Sequence, residues 1–514
     1  MRVKFLNIFP RLIFIFIFGL AFAAPVCAQD ITINAPATGP VAGNGDPPDG
    51  SIPGGNPANL VRNPDGNSVT VNADVPGSVY GGASSVGGNA PASASDNRVI
   101  LNSGTVANEI YGGYSLATNG SASAAGNTVT ISGGSAGYGI YGVYGGYSET
   151  TNGSASTTGN SVIISGGAVT GNVNGGNSYS TSGSVTAANT SVIINGGTVA
   201  GIVFGGNSAS DSVSGSDSAA TGNSVIISGG AVTGDVYGGK SYSNSGSTSA
   251  TGNSVIISGG TVTGNVYGGD GFSSSGSVSV AGNSVIISGG AVTGDVYGGS
   301  SASTYISAST AGNTVTISGG EVRGSVYGGY SYSSSGSGSA TGNTVTISGN
   351  PIFGPSTVLY GGWNNVSTGD VRSGNTLNLH TPVTVFSARN FEYWNFHLPA
   401  ALSAGQAMLT VDSADLGTNA RVGVRLDGAH SPLARGDSLV LIDAANTLSV
   451  TTPITPVRGM QGVTLQYDFE IAKAGNQLRA AVTDVTLNEQ TKALSEGFLS
   501  GLGLVNQGAD LVAG

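Results

Sequence analysis

Between Asn97 and Asn375 the chain repeats one phrase about every thirty residues. It runs Asn-Ser-Val-Ile-Ile-Ser-Gly-Gly, then Ala-Val-Thr-Gly-Asp-Val-Tyr-Gly-Gly, then a return rich in Ser, Gly and Ala. Marker asparagines fall at Asn97, Asn127, Asn160, Asn223, Asn253, Asn283, Asn313, Asn343 and Asn375, with a variant unit near Asn189. A fixed period of this size specifies a stacked array in which each unit touches mainly its neighbours. The product is a long surface rather than a deep pocket.

The unit beginning at Asn223 shows why the repeat is a coil. Val225 and Ile227 alternate with Ser224 and Ile226, the period of a strand. Gly229-Gly230 allows a sharp corner. Val232, Gly234 and Val236 form a second alternating set, Gly238-Gly239 a second corner, and Ser241–Gly252 the return. Three short extended runs with glycine corners describe one coil of a β-solenoid. A lone coil cannot survive: four buried Val/Ile side chains contribute about 8 kcal/mol, against roughly 30 for ordering thirty residues. Stacking must supply the rest, and the recurring Asn suits an amide ladder along the rod. A disordered Gly/Ser linker, the competing description, would not keep the Val/Ile positions in phase.

The expected fold is therefore all-β: an elongated, parallel β-helix-like solenoid of ~30-residue coils, with a C-terminal β cap and a short terminal helix. The organisation reads as a signal peptide over 1–28, a Pro/Gly-rich lead over 29–66, the repeat solenoid over 67–374, a cap over 375–487 and a helix over 488–514. Arg2, Lys4 and Arg11 precede the apolar run 12–24, and Val26-Cys27-Ala28 offers a small-residue cleavage site. Cleavage there removes Cys27, the single cysteine, leaving no thiol for disulfides or metal. The expected location is the cell surface, the outer membrane or the extracellular space. Charged residues make up only 8% of the chain, with a net charge of −11 and no basic patch, which argues against nucleic acid as a partner.

Two outward columns carry the functional expectation. If Val225 and Ile227 face inward, then Ile226 faces out together with Ile163, Ile193, Ile256 and Ile286, and the column turns to threonine at Thr130, Thr316 and Thr346. Exposed, this stripe is a candidate adhesive, self-associating surface; covered by a loop or buried on both faces, it is merely structural. The second column is aromatic: Tyr80, Tyr111, Tyr144, Phe204, Tyr237, Tyr267, Tyr297, Tyr327 and Tyr360. Stacked rings stabilise a corner and could also serve as a platform for sugars.

Chemistry is sparse. His380, His397 and His430 show no metal spacing, Asp235 and Asp295 alternate with Asn and Ser so that no calcium repeat forms, and no cofactor or metal is expected. Arg435, Gly436 and Asp437 spell an integrin-type adhesive tripeptide ahead of a strand. Gly436-Asp437-Ser438-Leu439 matches the nucleophile tetrapeptide of one esterase family, so the competing enzyme reading is a cap hydrolase using Asp437, Ser438 and His430. A passive spacer is the third reading. The preferred expectation is a non-enzymatic contact protein, its partners being host or bacterial surface ligands and other copies of itself.

The segments Phe391-Glu392-Tyr393-Trp394-Asn395-Phe396-His397-Leu398-Pro399 and Gly459-Met460-Gln461-Gly462-Val463-Thr464-Leu465-Gln466-Tyr467, with the repeats, resemble bacterial autotransporters of type V secretion. So does the ending, Thr491-Lys492-Ala493-Leu494-Ser495-Glu496-Gly497 through Val505-Asn506-Gln507-Gly508-Ala509-Asp510. The resemblance implies an exported passenger, a junction over about 375–485 that helps it fold, and a linker helix that threads an outer-membrane barrel. The sequence stops at Gly514, where that barrel would begin; the expectation is either a truncated or split gene product or a translocation barrel supplied by a partner.

Overall fold

The computed structural model describes residues 30–45 and 64–488, apart from short gaps at 138–141, 213–214, 367, 401, 403–404, 428–432, 452–453 and 462–463, together with Thr491 and Val505. The signal peptide and nearly all of the expected terminal helix lie outside the described residues.

Each coil contributes four strands. In one unit these are Ser224–Ile227, Ala231–Val232, Val236–Ser243 and Thr248–Thr251. The alternation of Val and Ile predicts the first. The fourth was not foreseen, because Thr-Ser-Ala-Thr has no apolar alternation. It forms because small side chains let it close against the preceding strand. All four pair in parallel with their counterparts in the next coil, residue for residue: Val225 with Val255, Val232 with Val262, Val236 with Val266 and Thr248 with Val278. The result is a β-solenoid of about 12 turns, on the order of 60 Å long at the spacing of hydrogen-bonded strands.

The interior has two compartments. Val225, Ile227, Val232 and Val236 fill the first and are fully enclosed, as are their equivalents in other coils. The second is lined by small side chains, Ser241 and Ser243 against Thr248 and Ala250. Where one wall of it grows, the other shrinks: Val278 and Val280 face Gly271, on which a Cβ would lie 2.9 Å from Val278 Cγ1. Volume is conserved within the rung.

The asparagine ladder runs between the compartments. Oδ1 of Asn253 accepts from both the backbone N–H and Nδ2 of Asn223, at 3.0 Å each. Nδ2 of Asn253 donates to Asn283 Oδ1 and to the Ala220 carbonyl. The same links join Asn67, Asn97, Asn127 and Asn160, and continue from Asn223 to Asn375. In the variant unit the ladder position belongs to Thr190, which donates through its backbone N–H and Oγ1 to Asn223 Oδ1. Asn189 stands where other coils have Gly222 or Gly252 and shares their left-handed backbone, φ 53°. Asparagine enters that region more readily than other side chains.

The two glycine pairs differ. Gly230 is a true corner at φ +77°. Gly238-Gly239, expected as a second corner, lies within the eight-residue strand Val236–Ser243 and marks a bend. It is glycine because nothing larger fits: a Cβ on Gly238 would meet the Gly268 carbonyl oxygen, and one on Gly239 the Asn253 amide.

The boundaries shift at both ends. Strands Asp30–Ile33 and Val41–Gly45, inside the expected lead, already pair in parallel with the coil above. At the other end, parallel stacking continues past residue 375. Thr376–Leu379 pairs with Tyr393–Leu398, which pairs with Arg421–Leu426; Ser387–Arg389 pairs with Ala407–Asp415, which pairs with Ser438–Ser449. The coils there lose the small-residue compartment and fill the remaining one with Phe391, Trp394 and Phe396. Val457–Gln461 still meets Arg421–Leu426 in parallel, but with Leu465–Ala474 and Gln477–Leu487 it forms an antiparallel set, the last strand lying along Ser438–Ser449 and covering that open edge.

Candidate functional site

The isoleucine column is on the outside. Ile163, Ile193, Ile226, Ile256 and Ile286 are adjacent rungs of one register and are half-buried, whereas Val225 and Ile227 on either side of Ile226 are fully enclosed. A side chain flanked about 4.8 Å above and below by its equivalents is partly covered by them, and each isoleucine keeps some surface open to solvent. The column extends Thr70, Ile100, Thr130, then the five isoleucines, then Thr316 and Thr346. Beside it runs a ladder of Ser161, Ser191, Ser224, Ser254 and Ser284. Over the five isoleucine rungs the strands of this face carry no charged residue; Arg98 stands beside Ile100, outside that stretch.

On another wall, the bend at Gly-Gly turns the outward side chains of the long strand towards one another and makes a groove along the rod. The aromatic column forms its first side. Neighbouring rings stack at 4.6–5.2 Å with planes within 13° of parallel, from Tyr80 to Tyr144 and from Phe204 to Tyr360. A second column, three residues on, reads Tyr114, Tyr147, Asn177, Asn207, Lys240, Asp270, Ser300, Tyr330 and Trp363. Rings of the two columns meet edge to face, Tyr111 with Tyr114 at 5.1 Å and Tyr297 with Tyr330 at 5.4 Å. Lys240 Nζ lies 4.5 Å from the Tyr237 ring and 3.8 Å from Asp270. Burial raises the Asp270 carboxyl against the pull of Lys240, and burial likewise holds the phenols of Tyr111, Tyr237 and Tyr297 far above their ordinary range. These hydroxyls stay protonated and act as neutral donors.

The adhesive tripeptide sits on an exposed turn: Arg435, Gly436 and Asp437 are all exposed, with Gly436 at φ +99°. Asp437 is partly committed, since its Oδ2 accepts from the Ala434 backbone N–H at 2.7 Å. Ser438 is exposed at the head of its strand, and His430, the base of the hydrolase reading, lies outside the described residues. An open cleft of about 520 Å³ in the cap is lined by Val450, Thr451, Ile454 and Ile471 with Glu470 and Lys473, and no histidine lines it among the described residues.

The histidines correct the sequence reading in one respect. His380 and His397, without metal spacing in the chain, occupy neighbouring rungs and stack at 4.0 Å. The Nδ1 atoms lie 3.6 and 3.7 Å from Asp427 Oδ2. Two imidazoles and a carboxylate are ligands suited to a transition ion, but Arg425 Nε stands 3.4 Å from the other carboxylate oxygen and opposes a second cation. Burial, then the neighbouring His380, lowers the pKa of His397. No repeat relates the two histidines, so no periodic signal could have paired them; Ile100 was findable from the thirty-residue spacing.

No family model, curated protein or solved structure matches the chain.

Proposed function

We propose that this chain is an exported, autotransporter-like passenger that works by contact, in adhesion and self-association, through its repeated outer faces. The observation that carries the reading is the uninterrupted ladder Ile163, Ile193, Ile226, Ile256 and Ile286 on strands without a charged residue. A second copy of the same face presents the same pitch, so isoleucines of one rod can seat between those of another over the whole stripe. Half-covered as they are, the side chains hold back roughly 1 kcal/mol each. Two facing stripes then gain about 10 kcal/mol, close to the 4–15 that association costs. A single pair of rods binds weakly, and many rods on one surface bind strongly together.

The test replaces Ile226, Ile256 and Ile286 by Thr and measures sedimentation of the purified rod and clumping of cells that display it. Loss of both is expected; unchanged clumping removes this face from consideration.

A further inference from the structure

His380, His397 and Asp427 come from three successive coils. His380 follows the strand Thr376–Leu379, His397 lies in Tyr393–Leu398, and Asp427 follows Arg421–Leu426. The register sets Leu379 beside Phe396 and Leu398 beside Leu426, and the Asp427 N–H donates to the Leu398 carbonyl. Parallel stacking thus brings the two imidazoles into one column and the carboxylate to its side.

Three donor groups converge there. Asp427 Oδ2 lies 3.6 Å from His380 Nδ1 and 3.7 Å from His397 Nδ1, and one donor atom from each residue fits within 4.8 Å of the other two. Both separations are too long for hydrogen bonds. Ligands held tetrahedrally around an ion at its usual bond lengths stand about 3.3 Å apart, so the cluster is a few tenths of an ångström wider than ligation requires. The stacked rings, 19° from parallel, do not aim both lone pairs at one point. Turning each about its Cβ–Cγ bond, a soft torsion in histidine, does so without moving the strands.

We propose that these three side chains form a binding site for a late first-row divalent cation such as Zn²⁺, which clamps three coils together. Two imidazoles and a carboxylate favour such ions over Mg²⁺ and Ca²⁺, which take oxygen ligands. The side chains are 23–40% exposed, so an ion reaches them from solvent and water completes its shell. Arg425 weakens the site without closing it. Its Nε stands on Oδ1 and its side chain is 62% exposed, while Oδ2 faces the imidazoles. The place in the fold gives the clamp a purpose. The ladder of marker asparagines ends at Asn375, and the coils beyond it lack that buried cross-link.

The site is separate from the isoleucine face, and isothermal titration of the full, untagged chain, stripped of metal by a chelator, tests it. One Zn²⁺ per chain should bind, with much weaker uptake of Mg²⁺. His380→Asn, His397→Asn and Asp427→Asn alter half-exposed positions and should leave circular dichroism unchanged; each is expected to weaken zinc binding roughly tenfold or more. Arg425→Gln removes the opposing charge and should strengthen binding about twofold or more. The electron paramagnetic resonance of bound Cu²⁺ should show coupling to two imidazole nitrogens, and to one in either histidine variant. The Ile226, Ile256 and Ile286 triple variant should bind zinc like the parent, which keeps failure of self-association distinguishable. Absence of saturable zinc uptake, uptake unchanged in all three ligand variants (an adventitious ion only), or Mg²⁺ held as tightly as Zn²⁺ overturns the proposal.

Discussion

The side-chain amide of Asn253 occupies the space that a Cβ on Gly239 would need: such an atom would lie 2.3 Å from Asn253 Cγ. The two residues are fourteen apart, and the same pairing recurs at Gly206 with Asn223 and at Gly269 with Asn283. Glycine at the bend and asparagine in the ladder are thus one device. The absent side chain of one makes room for the buried hydrogen bonds of the other.

Breaking the device from either side should destabilise the rod. Asn253→Ala leaves the Asn223 N–H and Nδ2 without their acceptor, and roughly 3 kcal/mol of stability is expected to go. Gly239→Ala forces the amide aside at a cost of about 1–3 kcal/mol. Asn253→Thr should be milder, since Thr190 fills that position in the variant coil. Denaturant midpoints of the three variants check the order.

The small-residue compartment offers a stabilising change. Thr248 Oγ1 is buried without a hydrogen-bond partner, and Val278 holds the same register one coil on. Thr248→Val keeps the shape and removes the orphaned hydroxyl, so a gain of about 1 kcal/mol is expected. Gly271→Ser in the adjacent coil should cost about 1–3 kcal/mol by overpacking against Val278 and Val280. Thermal melts of the two single variants should move in opposite directions.

Replacing Ile226, Ile256 and Ile286 by Thr should leave the fold intact. Thr316 and Thr346 already hold that register, and outward substitutions of this kind stay within about 0.5 kcal/mol each. Circular dichroism and melting temperature of the triple variant should resemble the parent, so that any loss of clumping is assigned to the surface.

His397 makes the C-terminal coils acid-sensitive. Its folded pKa lies below the ordinary histidine value because of burial and the stacked His380. The unfolded chain therefore takes up the proton first as pH falls. Stability is complete above about pH 6.5 and declines below it until the folded histidine also titrates. Melting between pH 7.5 and 5 should show this decline, and His397→Asn should flatten it.

The strand Ser224–Ile227, the inward phase of Val225 and Ile227 and the amide ladder were legible because each is a local pattern repeated at a fixed interval. Stacking in register turns one line of text into a line in space. What periodicity cannot carry was decided by the tertiary structure: the strand hidden in Thr248–Thr251, Thr190 rather than Asn189 in the ladder, the stacking of His380 on His397, and parallel coils continuing to Ser449. In each case the outcome depends on volume and hydrogen bonding between coils, and those contacts have no constant spacing along the chain.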